Sequence, residues 1–271
     1  LLVAIAVALF GIIGYYSRTS INPVTGEKQH VAGITPEQET ALGLQSAPQM
    51  IYQMGGEVPA EDPEAQTVRR IGAYVHDHSS AAQSPYQYQY HLLADQSTIN
   101  AFALPGGQVF ITKALYDRLV DEAELAGVLG HETGHVVERH AAQQMAKGQL
   151  GQSLVAATGI YASRRGDGSG LAAAMIADLV NNTIMLHYSR EDESQADACG
   201  LRFMTESGFD PRAMIDVMKI LEQVTRSTGR PPEFMVTHPY PEHRIQAIQR
   251  WLMEHPENLN QLSRGNALPK D

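Results

Sequence analysis

The five residues His131-Glu132-Thr133-Gly134-His135 read H-E-x-x-H, and they sit inside a run from Asp121 to Lys147 with helical spacing. On a helix, histidines four residues apart project from one face a turn apart, so both imidazoles reach one metal ion at roughly 2.0–2.1 Å. Glu132, one step round, faces the remaining coordination space, where a carboxylate takes a proton from a water whose pKa zinc has lowered to about 7. The stretch therefore supplies two candidate ligands and a candidate general base. The bland alternative is a solvated helix face that happens to carry two histidines and a glutamate. Against it, Leu125, Val128, Leu129, Val136 and Val137 give the run an apolar face, while Gly127, Gly130 and Gly134 strip side chains from it. Each glycine costs a helix about 1 kcal/mol relative to alanine. Three so close together predict tight packing by another element, or access for a metal.

Composition sets the outer limits. The chain has 271 residues, 43% of them hydrophobic, enough for one substantial core with appendages. With 20 basic against 30 acidic residues the net charge is -10, and the absence of a long basic cluster argues against nucleic acid as a partner. Cys199 is the lone cysteine, so no intrachain disulfide forms and a cysteine-rich structural zinc site is excluded.

Leu1 to Tyr16 is an almost unbroken apolar run. As a helix it spans about 24 Å, short of the roughly 30 Å hydrocarbon core. The sequence begins without Met, and the expectation is a truncated, uncleaved membrane anchor, with a cleaved signal segment as the alternative and a buried core helix as a third reading. Thr35 caps a helix beginning at Pro36. Glu61 to Ser80 is predicted helical through Val68, Ile71 and Val75, with His76 and His78 read as surface residues on different faces. Tyr86 to Leu93 alternates, which predicts a strand with Tyr86, Tyr88 and Tyr90 on one face. A second strand is predicted over Gln108–Thr112, after the turn Pro105-Gly106-Gly107. With a free edge it would pair with an extended peptide along Gly107, Gln108, Val109 and Phe110; the alternative is an ordinary strand paired on both sides.

Gln149–Tyr161 and Gly170–Leu186 read as Ala-rich packing helices, each too short or too interrupted for a clear membrane span, with membrane contact as the lesser alternative. Ser189 opens a further helix, with Asp192 completing a capping box. Pro211–Arg226 and Pro241–Trp251 supply two more, and the tail after His255 is read as loose.

Two histidines do not complete a catalytic zinc site, which takes three protein ligands plus water. The pattern H-E-x-x-H-x-x-G-x-x-H would need Gly at 138 and His at 141, where this chain has Glu138 and Ala141. His140 is out of register and is read as a surface histidine. The better third ligand is Glu193, in Ser189-Arg-Glu-Asp-Glu-Ser-Gln-Ala-Asp197. Asp197 shares its helical face, placed to orient a ligand histidine through the free ring nitrogen. Glu191 and Asp192 merely favour the positive end of the helix dipole.

Four segments, in order, resemble a known family: Asn100-Ala-Phe-Ala-Leu-Pro-Gly-Gly-Gln-Val-Phe-Ile-Thr112, His131-Glu-Thr-Gly-His135, Ser189 to Asp197, and Thr237-His-Pro-Tyr-Pro-Glu-His-Arg-Ile245. Together they resemble the gluzincin metalloproteases typified by HtpX and the CAAX prenyl proteases, and within them the periplasmic group that includes BepA and LoiP. The resemblance implies an α+β, predominantly helical protease domain with a small sheet beside the H-E-x-x-H helix. It implies one zinc ion per chain on His131, His135 and Glu193, with Glu132 as base and Asp197 orienting a ligand. It also gives meaning to His238 and Arg244. Either can stabilise negative charge developing on a carbonyl oxygen, and His238 can alternatively occupy the open metal position and hold the enzyme latent. His243 is read as a surface residue.

The expected organisation is an anchor or signal segment over 1–20, a connecting region over 21–60, the zinc metalloprotease domain over 61–254 and a tail over 255–271. The expected function is an endopeptidase acting on unfolded or misassembled envelope polypeptides, in the bacterial periplasm, tethered to the inner membrane or released from it. A chaperone-like assembly factor with little proteolysis is the alternative, and a hydrolase of non-peptide substrates a more distant one.

Overall fold

The computed structural model describes residues 9, 12–17, 19–31, 34–148, 188–239, 241–256 and 259–270. Most of the Leu1–Tyr16 run and both Ala-rich stretches, Gln149–Tyr161 and Gly170–Leu186, lie outside the described residues. No helix among the described residues is long and apolar enough to cross a membrane.

Strands β1 (Thr19–Ile21) and β2 (Lys28–His30) pair antiparallel as a hairpin ahead of helix α1 (Pro36–Gln53). The Thr35 hydroxyl accepts from the Gln38 amide, and the Gln38 side chain accepts from the Thr35 amide, closing a capping box around Pro36 at the first helical position. Helix α2 (Pro63–Asp77) buries Val68, Ile71 and Val75, as its spacing predicts. His78 is exposed, but His76 is half-buried with its ring 4.7 Å from that of Tyr88.

Strands β3 (Gln89–Leu93), β4 (Ala101–Leu104) and β5 (Gln108–Thr112) form one sheet in the order β3-β5-β4, β3 running parallel and β4 antiparallel to β5. The two predicted strands are present, β3 starting only at Gln89, whose amide donates to the Gly107 carbonyl. Tyr86 and Tyr90 are buried, as the alternation implies. β4 escapes prediction because Ala101, Phe102, Ala103 and Leu104 are a run of only four apolar residues, with no alternation to tell strand from helix.

After the single turn α3 (Lys113–Tyr116) comes α4 (Glu122–Val137), all sixteen of whose residues are buried. The long helix expected to reach Lys147 is interrupted. The chain turns at Glu138 and Arg139 and resumes as α5 (140–148), with Arg139 in the left-handed region at φ 56°. Helices α6 (Arg190–Glu206), α7 (Ala213–Thr228), α8 (Glu233–Thr237) and α9 (Pro241–Glu254) follow. Ser189 and Asp192 form the predicted capping box at the start of α6. The α+β, mainly helical architecture with the H-E-x-x-H helix beside a small sheet stands.

Close packing of α6 on α4 explains the glycines. A side chain at Gly134 would put its Cβ 2.9 Å from both the Ala196 carbonyl oxygen and Cys199 Cβ, and Gly130 faces Gly200. Without these side chains α6 lies directly against the H-E-x-x-H turn.

The tail is not loose. The carbonyls of Arg264 and Asn266 accept from the amides of Ala123 and Glu122, each at 3.0 Å. They satisfy donors that the first turn of any helix leaves open. Arg264 also reaches Asp121 at 2.7 Å, Asp216 at 2.8 Å and Glu124 at 3.1 Å. Polar contacts of this kind leave no apolar periodicity, which is why the segment reads as featureless in sequence.

Candidate active site

His131 and His135 stand one turn apart on α4, with their Nε2 atoms 3.1 Å from each other. Glu193, brought in by α6, lies 3.5 Å from His135 Nε2 and 3.7 Å from His131 Nε2. Four-coordinate bonds of about 2.0–2.1 Å in tetrahedral geometry separate ligand atoms by about 3.3–3.4 Å, so the three side chains are spaced for a shared ion. Ligand atoms from His131, His135, Glu193 and His238 all lie within 4.8 Å of one another.

The donor chemistry fits a divalent metal. His131 Nδ1 donates to Asp197 Oδ1 at 2.9 Å, and His135 Nδ1 lies 2.8 Å from His140 Nδ1. With each Nδ1 engaged behind its ring, both Nε2 atoms are turned toward one spot, an arrangement that a cation lying between them satisfies when each presents its lone pair. Burial, reinforced by the Arg244 charge, lowers the His131 pKa to about 4, and burial with the neighbouring histidines holds that of His135 well below the ordinary imidazole value. Both rings are neutral at pH 7, the form that binds metal. Both oxygens of Glu132 and of Glu193, and Nε2 of His238, are buried without a hydrogen-bond partner. Orphaned carboxylate oxygens are costly in a protein interior. Burial pushes Glu132 up to about 8, against the opposing influence of Arg244, and raises Glu193 as well.

Arg244 is buried behind this cluster. Its Nε and Nη2 donate to Asp197 Oδ2 and Oδ1 at 2.8 and 2.6 Å, and its Nη1 stands 2.9 Å from Glu193 Oε2, close enough for charge attraction but outside hydrogen-bond alignment. Burial alone would raise the Asp197 pKa, yet Arg244 and the His131 hydrogen bond hold it well below the usual carboxylate range. The guanidinium expected to meet a substrate carbonyl is instead occupied with two carboxylates.

His238 closes the opposite side. Its Nδ1 donates to the Phe234 carbonyl oxygen at 3.2 Å and lies 2.9 Å from Thr237 Oγ1, so Nε2 carries the free lone pair. That atom is 3.5 Å from Glu132 Oε1, and the ring stacks on Phe234 with centroids 4.4 Å apart.

Two residues near the centre depart from the sequence reading. His140 is fully buried rather than a surface residue, because the break at Arg139 folds it beneath His135. Tyr188, which no motif singles out, stacks on the His135 ring, centroids 3.9 Å apart, and its amide donates to the Thr237 carbonyl oxygen at 3.3 Å. Its only sequence signal is an aromatic residue just ahead of the Ser189 cap. His243 is exposed, as read.

The substrate strand also needs correcting. β5 is the central strand, so Gln108, Val109 and Phe110 pair with β3 on one side and β4 on the other, and the Gly107 carbonyl already accepts from Gln89. Among the described residues the outer strand on the other side is β4. Asn100 O accepts from Thr112 N at 3.0 Å, so by antiparallel alternation Ala101 and Ala103 turn their main-chain groups to the outer edge. A slot between this strand and the metal helix is lined by Ala103, Leu104, His135, Val136 and Tyr188.

The residues from 63 to 252, which carry Glu132 and all four converging ligand side chains, match peptidase family M48. The chain belongs to peptidase family M48. Over 227 residues this M48 peptidase is 32% identical to the beta-barrel assembly-enhancing protease of Escherichia coli (strain K12), covering 79% of this chain and 46% of that one. The mitochondrial metalloendopeptidase OMA1 of Schizosaccharomyces pombe is 33% identical over 174 residues, 64% of this chain and 49% of the relative. The metalloprotease YcaL of Escherichia coli (strain K12) is 28% identical over 166 residues, 61% and 62% of the two chains. This M48 peptidase thus spans about half the length of the first two relatives.

Proposed function

We propose that this M48 peptidase is a zinc metalloendopeptidase that cleaves extended segments of unfolded or misassembled polypeptides. The observation that carries the reading is the convergence of two neutral imidazoles and one buried carboxylate, free of hydrogen bonds, at tetrahedral spacing. His131, His135 and Glu193 hold the metal, with zinc suiting a two-nitrogen, one-oxygen site. When bound, the ion supplies Lewis-acid chemistry, acidifying a water and polarising the scissile carbonyl. Glu132 takes the proton from the attacking water and hands it to the leaving amine. Asp197 fixes the His131 tautomer, and Arg244 positions Asp197 and Glu193 rather than touching substrate.

The segment 61–254 is the catalytic unit, with the connecting region over 21–60 and the docked tail strapped to it. An extended substrate pairs with the outer edge of β4 and lies across the slot toward His135. In the arrangement described, His238 Nε2 faces the metal position and the site is buried, which we read as a latent form opened by movement of α8. The envelope setting, in the bacterial periplasm, follows the same resemblance; a membrane tether rests on the apolar start of the sequence alone.

Closure of the site also gives weight to a second reading, an envelope assembly factor that binds polypeptides and seldom cuts. Degradation of an unfolded protein by zinc-loaded wild type and Glu132→Gln, matched for metal content, separates the two. Cleavage by wild type alone supports the protease. If neither cuts and His238→Ala does not release activity, the binding factor stands instead.

A further inference from the structure

His140 lies outside the group of ligand atoms that converge on the metal position, yet it is fully buried against one of them. Its Nδ1 is 2.8 Å from His135 Nδ1, and its Nε2 is 3.0 Å from Gln195 Oε1. The Gln195 amide nitrogen in turn donates to the carboxylate of Glu27, in the turn between β1 and β2. The direction of every proton in this chain follows from its far end. An ionised carboxylate only accepts, so Gln195 must present its NH2 to Glu27 and its oxygen to His140. That oxygen takes the His140 Nε2 proton, which leaves His140 Nδ1 bare. A bare Nδ1 accepts the His135 Nδ1 proton, and His135 Nε2 is left as the lone pair aimed at the metal position.

The backbone supports the same reading. On an uninterrupted helix five residues turn through about 500°, which would put His140 about 140° around the axis from His135. The left-handed Arg139, at φ 56°, breaks the helix and brings His140 back. Such a conformation is uncommon for a non-glycine residue and persists where the surroundings hold it. Here the Arg139 side chain is tied down by Glu39 at 3.1 Å and by the Ile34 carbonyl at 2.8 Å.

We propose that His140 is the positioning residue for His135, and that the relay His140–Gln195–Glu27 fixes the tautomer of a metal ligand from the β1–β2 turn. The proposal rests on the zinc-centre reading. Ligand histidines ordinarily donate their second nitrogen to a carboxylate, a carbonyl or water, and loss of that partner typically lowers metal affinity 10- to 100-fold. Here a second imidazole, itself oriented through an amide, fills that place.

Zinc affinity by chelator competition and the visible spectrum of the cobalt-loaded full chain would be compared for wild type, His140→Phe and His140→Asn. His140→Phe should lose about 10- to 100-fold in zinc affinity and shift the cobalt bands. His140→Asn, whose amide oxygen can accept near the Nδ1 position, should recover most of both. Wild-type affinity and spectrum in a folded His140→Phe protein overturn the proposal, as does an Asn variant no better than Phe, since packing alone would then explain the residue. If His140→Phe does not fold, Gln195→Met cuts the next link: a smaller loss in the same direction supports the relay, and no change overturns it. A wild-type chain that binds no zinc overturns the metal centre itself.

Discussion

Arg244 grips Asp197 with a two-pronged contact, Nε to Oδ2 at 2.8 Å and Nη2 to Oδ1 at 2.6 Å, and the same guanidinium stands 2.9 Å from Glu193. One buried cation therefore offsets two buried carboxylates. Arg244→Ala should destabilise the metal-free protein by about 3–5 kcal/mol in urea unfolding, the range for removing one partner of a buried ion pair. Arg244→Lys keeps the charge without the planar fork and should fall between. A metal-free Arg244→Ala protein as stable as wild type would remove Arg244 from this role.

His238 presents an unpartnered nitrogen 3.5 Å from Glu132. His238→Ala is expected to speed cleavage of an unfolded protein at unchanged zinc content, because it clears the open side of the metal position. A slower enzyme with full zinc would place His238 among the groups that stabilise the transition state.

Gly134 allows α6 to approach. Gly134→Ala puts a methyl 2.9 Å from the Ala196 carbonyl oxygen, an overpacking expected to cost about 1–3 kcal/mol and to displace Glu193 from the histidines. Gly148, where an added methyl would meet nothing within 4 Å among the described residues, is the control. Gly148→Ala should be neutral or stabilise by about 0.5–1 kcal/mol. Thermal melts and zinc binding of the two variants check the contrast.

Asp95 supplies a pH-dependent contribution away from the site. Burial tends to raise its pKa, but hydrogen bonds from Ser97 and Thr98 outweigh this and lower it from 3.8 to about 2. A depressed folded-state pKa stabilises above the unfolded value and is lost as pH falls through the folded one. Wild type should therefore exceed Asp95→Asn in stability at pH 6, and the gap should close between about pH 4 and pH 2. Solvent screening keeps it under about 1 kcal/mol. Urea midpoints across that range would show it, and a gap that does not change with pH would refute it.

The sequence made legible whatever depends on local spacing. His131, Glu132 and His135 follow from one turn of helix, Ser189 and Asp192 announce the start of α6, and the glycines of α4 announce a close neighbour. Contacts assembled across the chain left little trace. His140 moves from surface to interior only because Arg139 adopts a left-handed conformation, and nothing in the pattern around Arg139 signals it. β4 left no strand signal of its own, and β5 could not be recognised as the central strand, since strand order is a property of pairing rather than of any one segment. Arg244 looked free to meet a substrate until Asp197 and Glu193 were found on its guanidinium.

The docking of the tail carries a consequence for biosynthesis. The first turn of α4 is completed by the backbone of Arg264 and Asn266, and Glu122 and Asn266 are 144 positions apart. A nascent chain can coil the H-E-x-x-H turn early, but that helix keeps open donors at its start until residue 266 has left the ribosome. Completion of the first turn of the catalytic helix is thereby tied to the emergence of residues 264–266.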